Sequence, residues 1–245
     1  MSYISEHGFK GIVAIHQPSF LPWLGFFDKI LRSEIFVILD DVQFPKKGGY
    51  WANRVKIIVS GKPAWITMPV VRAYHGLRNI NQMKINDTLN WRDKIKKTVE
   101  LNYAKAPYFS EVMPVIEAIF SFNNDTLIEF NLNAIKILCS ALNINTDNFV
   151  LSSTLDKHGA GTDMLISIVR ATGMHSYMCG GGASKYQEDE KFAQAGINLI
   201  YQNFRHPEYK QFNTSEFSKG LSVIDLLMNE GIEKSRETVR YNLDS

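Results

Sequence analysis

The sequence has only two cysteines in 245 residues, Cys139 and Cys179, far apart and neither in a Cys-x-x-Cys pair. That argues against a zinc ribbon or a dithiol redox centre and for a reducing compartment. An excess of either charge is also missing: 27 lysines and arginines against 25 acidic residues leave a net charge of +2. Neither the basic footprint of a nucleic-acid binder nor an acidic tail is present. No run approaches the roughly 20 apolar residues that span a bilayer. The opening residues, MSYISEHGFK, lack the apolar stretch of a secretory signal. A cytoplasmic protein is expected, with neither nucleic acid nor membrane as partner and with oligomerisation left open. No His-Glu-x-x-His, Gly-x-Ser-x-Gly or Gly-x-Gly-x-x-Gly motif occurs, and the P-loop spacing is absent. The six histidines are dispersed, so no metal site is expected and no cofactor is indicated.

Aromatics, by contrast, are plentiful, at 15 Phe, 10 Tyr and 4 Trp. Several stand beside prolines and charges in expected loops, where they shape pockets for planar or sugar ligands. The length suits a single α/β domain over residues 1–245 that folds without disulfide or metal. Gly11 to His16 reads as a buried strand, followed by a proline-clamped turn, Gln17 to Gly25. Leu24, Phe27 and Leu31 fall at helical spacing, and Ile35 to Leu39 is a second strand. Strand, helix and strand in that order make a parallel βαβ unit. A hairpin is expected over Val55 to Val70. A helical block over 87–142 follows, with caps at Asn86 or Asp87, at Ser110 and at Asp125. The last third returns to strands near 148–151, 175–179 and 197–201, with helices capped at Thr162 or Gly161 and at Ser184. A final helix from Ser222 is expected to end at Gly231. The fold class is therefore α/β, with a mostly parallel, Rossmann-like sheet and a helical block inserted in the middle.

In such sheets ligands sit outside the carboxyl ends of the strands, and four strand ends here carry polar or glycine-rich residues. The first gives His16 and Gln17, and His16 there suits a general acid or base, or a donor to a phosphate or oxyanion. The second gives Asp40, Asp41 and Gln43. The two aspartates point to opposite faces, so they do not share a proton, and one is free to bind a ribose, an amine or Mg²⁺. Lys47, Trp51, Asn53 and Arg54 follow as part of a basic–aromatic cluster, which suits an anion beside a planar ring. Ser152 ends a third strand. Gly180-Gly181-Gly182, with Tyr186 just after it, opens a loop whose backbone N–H groups suit anions. Trp23 in the proline turn and His206 in the C-terminal loop complete the candidate set, which centres on residues 12–54.

These residues resemble the WbqC-like protein family. The likeness is carried by Ile15-His16-Gln17-Pro18, Leu21-Pro22-Trp23-Leu24-Gly25, Phe27-Asp28-Lys29, Leu39 to Phe44, and Trp51 with Asn53-Arg54. It continues through Tyr103 with Ala106-Pro107-Tyr108-Phe109, Ser152-Ser153, Gly161-Thr162, Gly180, His206-Pro207 with Tyr209, and Leu221 to Leu227. It covers almost the whole chain. The resemblance implies bacterial surface-polysaccharide (O-antigen) biosynthesis, with transfer of an acyl or aminoacyl group, glycyl included, to an amino sugar or nucleotide-linked sugar. On that reading His16 is the base, Asp40 or Asp41 orients it or binds the amine, and Lys47, Arg54 and the Gly180 loop hold the anionic end of donor or acceptor. The partners are then a sugar or nucleotide-sugar and an acyl donor. At fold level the N-terminal unit also looks like the nucleotidyltransferases that include pantothenate synthetases. Here Phe26 and Phe27 follow Gly25 where those enzymes carry the second histidine of His-x-Gly-His. Nucleotidyl transfer and a non-catalytic role in a polysaccharide complex are the alternatives.

Overall fold

The computed structural model describes residues 9–47, 50–182 and 187–243. Strand β1 (Ile12–His16) leads through the proline turn into helix α1 (Leu24–Leu31) and strand β2 (Ile35–Ile38). Both strands are apolar and covered on two faces, as inner strands of a parallel sheet must be. Pro18 and Pro22 deny the turn a helical hydrogen-bond ladder, so α1 starts only after Trp23. A separate antiparallel hairpin follows, β3 (Arg54–Val59) with β4 (Lys62–Thr67). Three helices come next: α2 (Trp91–Tyr103), α3 (Phe109–Ser121) and α4 (Leu127–Ala141). The chain then alternates β5 (Phe149–Leu151), α5 (Gly161–Ala171), β6 (Ser176–Cys179), α6 (Asp189–Gln194) and β7 (Asn198–Tyr201). It closes on α7 (Val223–Thr238).

Five strands form the main sheet in the order β5-β2-β1-β6-β7, and every pairing is parallel. Alternation along the strands splits the core in two. Ala14, Phe36, Ile38 and Met178 face α1, the hairpin, α2 to α4 and α7. Val13, Ile15, Val37, Tyr177 and Cys179 face α5 and α6. The chain leaves β1 for one face of the sheet and leaves β6 for the other. A crevice opens between two adjacent parallel strands whose connections diverge in this way, at their carboxyl ends. Among the described residues no helix is long and apolar enough to cross a membrane.

Two boundaries differ from expectation, and a third is untested. Asn86 caps a short 3₁₀ turn over Asp87–Leu89, its side chain accepting from Thr88 N, and Asn90 precedes α2. The expected cap at Ser184 lies outside the described residues. The last helix breaks at Gly231 (φ 76°, ψ 170°) but resumes to Thr238, because Ser235 and its neighbours still have a surface to cover. Elsewhere the strands and helices stand within a few residues of where periodicity puts them.

Candidate functional site

A cavity of about 900 Å³ occupies the crevice at the ends of β1 and β6. Its floor is His16 and Gln17 from β1 and the Gly180-Gly181-Gly182 run after β6. Its walls are aromatic, with Trp23, Tyr50, Trp51 and Phe204 among them, and Gln202 closes the β7 side.

Two loops frame the mouth, and both are tied down. In the proline turn, Leu21 is fully buried in the left-handed region at φ 44°, a strained conformation for leucine. The turn is held by Phe20 N donating to Trp51 O at 2.8 Å and by Val223 N donating to Pro22 O at 2.8 Å. Asn131, buried on α4, donates from Nδ2 to Pro18 O at 2.9 Å and to Ala52 O at 2.6 Å, joining the two loops. The Tyr50 hydroxyl donates to Gln17 Oε1 across the same gap. Trp23 folds back over Gly25 so closely that a Cβ there would stand 2.2 Å from the indole. Only glycine permits this placement of the ring, which stands edge-on to Phe204 with ring centroids 5.2 Å apart.

His16 sits against Phe26 with ring centroids 5.0 Å apart. Its Nδ1 lies 2.8 Å from Gln17 O, a carbonyl that can only accept, so Nδ1 carries the proton and Nε2 keeps its lone pair. Burial, and after it the Lys29 charge, push the imidazole down to about 3, so His16 is neutral at physiological pH.

Lys29 is the charged residue of the cavity, among the described residues, and the pattern of the sequence did not single it out as functional; nor did it single out Gln202 or Phe204. Lys29 lies on α1, is 4% exposed, and lines the cavity beneath Gly180. Its neighbour Asp28 is fully buried and otherwise engaged, with Oδ2 accepting from Gln202 Nε2 at 2.7 Å and from Arg32 at 3.5 Å. Gln202 Nε2 also donates to Gly25 O at 2.7 Å, which ties the end of β7 to α1. Burial raises the Asp28 carboxyl, against the hydrogen bonds from Gln202 and Arg32.

Of the residues marked out in the sequence, His16, Gln17, Trp23, Trp51 and Gly180 line this cavity. Asp40, Asp41 and Ser152 form a separate node joining the ends of β2 and β5. Asp40 Oδ1 accepts from Ser152 Oγ at 3.0 Å and Ser153 N at 2.9 Å, and Oδ2 accepts from Asn81 at 3.2 Å. Asp41 pairs with Lys157 and lies 2.5 Å from Ser152 Oγ. Asn53 is buried and works as a brace, accepting from Tyr50 N and donating to Met68 O. Arg54 stacks over Trp65 at 4.2 Å. Gln43 and Lys47 are exposed in the loop after β2. His206 stands behind Phe204, with Nε2 accepting from Gly220 N at 3.2 Å and Nδ1 directed at Pro207 O. Tyr186 lies outside the described residues.

A neutral base, an ammonium, a glycine run and five aromatic side chains in one crevice suit a ligand with a ring and an anionic group, and a proton to give up. A relative of similar length is "Uncharacterized protein Rv1507c" of Mycobacterium tuberculosis (strain ATCC 25618 / H37Rv). It is 29% identical over 233 residues, 94% of this chain and 97% of that protein. No solved structure gives a significant match. The sequence model of the WbqC-like protein family matches residues 17–237, from the residue after His16 almost to the end of α7, and the chain belongs to that family.

Proposed function

We propose that the chain is a transferase of bacterial surface-polysaccharide biosynthesis. It moves an acyl or aminoacyl group, glycyl included, onto an amino sugar carried as a nucleotide-linked sugar. The polysaccharide setting is what likeness to the WbqC-like family implies. The observation that carries the chemistry is the neutral His16 imidazole, with Nδ1 held on Gln17 O and Nε2 unprotonated, on a residue that lines an aromatic-walled cavity. The sugar amine attacks the carbonyl carbon of an activated acyl donor, a thioester or an ester. A C–N bond forms and the bond to the donor's leaving group breaks. The amine's proton passes to His16 Nε2 and from there to the leaving group. Trp23, Trp51 and Phe204 supply faces and edges for sugar or base rings. Asp40, Asp41 and Ser152 act at a distance, by holding the ends of β2 and β5 in register beside β1. The strand order supports a Rossmann-like sheet of nucleotidyltransferase type in one α/β domain, with residues 87–142 as a helical subdomain.

The test is direct: purified protein, nucleotide-linked amino sugars and acyl or aminoacyl thioesters and esters, with products read by mass spectrometry. Alanine at His16 is expected to lower kcat by ~10²–10⁴ while the circular dichroism spectrum stays unchanged. Undiminished turnover in that variant removes the role. Nucleotidyl transfer is the second reading, favoured by the crevice between β1 and β6. It requires pyrophosphate release from a nucleoside triphosphate, which the same incubations measure.

A further inference from the structure

Lysine is among the residues least often fully buried, and when it is buried it is normally paired. Lys29 departs from that rule. It is 4% exposed, yet among the described residues its ammonium has no hydrogen-bond acceptor and no ion-pair partner. Asp28, next to it on α1, turns Oδ2 to Gln202 and Arg32, and its buried Oδ1 has no hydrogen-bond partner among the described residues. Stripping most of the water from an ammonium that borders a cavity, with no paired charge beside it, is costly. A site that receives an anionic ligand recovers that cost when the ligand binds.

What surrounds the ammonium indicates which anion. A Cβ built on Gly180 would stand 3.6 Å from Lys29 Nζ, so the lysine head lies directly under the start of the glycine run. Among the described residues, a Cβ built on Gly181 or Gly182 would meet nothing within 4 Å, so the backbone there is open to the cavity it lines. An ammonium facing side-chain-free backbone, at the carboxyl ends of diverging parallel strands, is a setting in which phosphates bind. A carboxylate is better matched by the planar fork of an arginine, and none lines this cavity among the described residues.

We infer that Lys29 and the Gly180–Gly182 turn form an anion subsite for a phosphate group, set beside His16 so that the charge of the bound ligand reaches its imidazole. The inference rests on the cavity being the ligand site of the proposed transferase, and it names the substrate class as phosphate-bearing. It does not depend on which group is transferred. The charged and titratable groups around the pair are Asp28 and Arg32 on α1, His16 on β1 and Cys179 on β6. Burial pushes the ammonium down to about 8, partly offset by Cys179 and Asp28, which leaves it mostly protonated at neutral pH. Lys29 is one of the two influences that suppress protonation of His16. A phosphate on the ammonium cancels that influence, so His16 becomes a stronger base once its anionic ligand is in place.

The experiment uses the full chain and four probes: inorganic phosphate, pyrophosphate, a nucleoside diphosphate and, as the carboxylate control, acetate. Calorimetry gives affinity, and NMR of labelled histidine, assigned by loss of the signal in His16→Gln, follows the His16 titration. Phosphate-bearing probes are expected to bind wild type, and Lys29→Met to weaken them by about 10-fold or more, the worth of a charged hydrogen bond. The His16 midpoint is expected to rise with phosphate in wild type. In Lys29→Met it is expected to be raised already and not to move further. Gly180→Val fills the space over the ammonium with the charge intact, so it tests the subsite independently should Lys29→Met fail to fold. The inference is overturned by equal phosphate affinity in Lys29→Met and Gly180→Val, by acetate binding in preference to phosphate, or by a His16 midpoint indifferent to phosphate. Acyl transfer without phosphate binding defeats the subsite alone. Phosphate binding without transfer upholds the subsite and defeats the transferase reading.

Discussion

Burial and the Lys29 charge hold His16 unprotonated down to about 3, against 6.5 for an ordinary histidine. Between these values the unfolded chain binds a proton that the folded protein does not, so stability falls as the solution is acidified across that window. The contribution of neutral His16 is fully present above about 6.5 and is lost as pH drops toward 3. Denaturant unfolding at a series of pH values, in wild type and His16→Asn, should show a steeper acid loss in wild type. His206, whose imidazole burial also lowers, is common to both proteins and drops out of the comparison. Parallel curves would contradict the assignment. Asp41 carries the same sign at lower pH. Burial raises its carboxyl, but the Lys157 and Ser152 hydrogen bonds and the Lys157 charge outweigh burial and leave it below the usual range. Its stabilisation is present above about pH 4 and is lost as pH falls through the folded value, so Asp41→Asn should flatten the most acidic limb. Legibility at this scale was uneven for a physical reason. His16 and Gln17 end a strand of four apolar residues, and any ligand site on such a sheet lies at strand ends. Two consecutive aspartates at the next strand end look equally chemical, but Ser152, Ser153, Asn81 and Lys157 engage them. No local pattern reveals those partners, which lie 41 to 116 residues away in the chain. Lys29 carries no functional signal in the local pattern, because the end of β6 that lies over its ammonium comes some 150 residues later.

Elements position the site through a few side chains that cross between them. Asn131 on α4 belongs to a helix remote in sequence from the cavity, yet it alone donates to both Pro18 O and Ala52 O. Asn131→Ala leaves two buried carbonyls without that donor, at an expected cost of about 1–3 kcal/mol in unfolding free energy. It also frees the loops that carry Gln17, Trp23, Tyr50 and Trp51, so ligand affinity should fall with stability. Unchanged affinity in a destabilised Asn131→Ala would separate the brace from the site. Within α7, Gly231 has φ 76°, and a Cβ there would stand 2.6 Å from the Tyr108 ring. Gly231→Ala is expected to cost more than about 1 kcal/mol, from the backbone and from displacement of the tyrosine. Thermal unfolding measures this, with ligand affinity unaffected because Gly231 is not among the cavity residues. The glycine signals a stop in the sequence, and the stop is real. The chain re-enters a helix because tertiary burial beyond the break outweighs the local signal.

The molecule as a whole makes its cavity from segments that no window of sequence joins. Residues 15–29 and 50–51 contribute, and so do 180–182 and 202–204, brought together by the order β5-β2-β1-β6-β7. The βαβ unit at the N-terminus was legible, because alternation and helical spacing are local. That β6 rather than β5 lies beside β1 was not, since it depends on which crossovers cover both sheet faces. This global dependence has a measurable consequence. A ligand that bridges the β1 and β6 ends binds only the assembled sheet, so it stabilises the folded state by mass action. A phosphate-bearing sugar nucleotide at about 100 times its Kd should add roughly 2.7 kcal/mol, which for a chain of this size raises Tm by about 5–10 °C. The free sugar, lacking the anion for Lys29, should give a much smaller shift, and the nucleotide's shift should shrink in Lys29→Met. Equal shifts from free and nucleotide-linked sugar would place recognition on the aromatic walls and leave the ammonium without a role in binding.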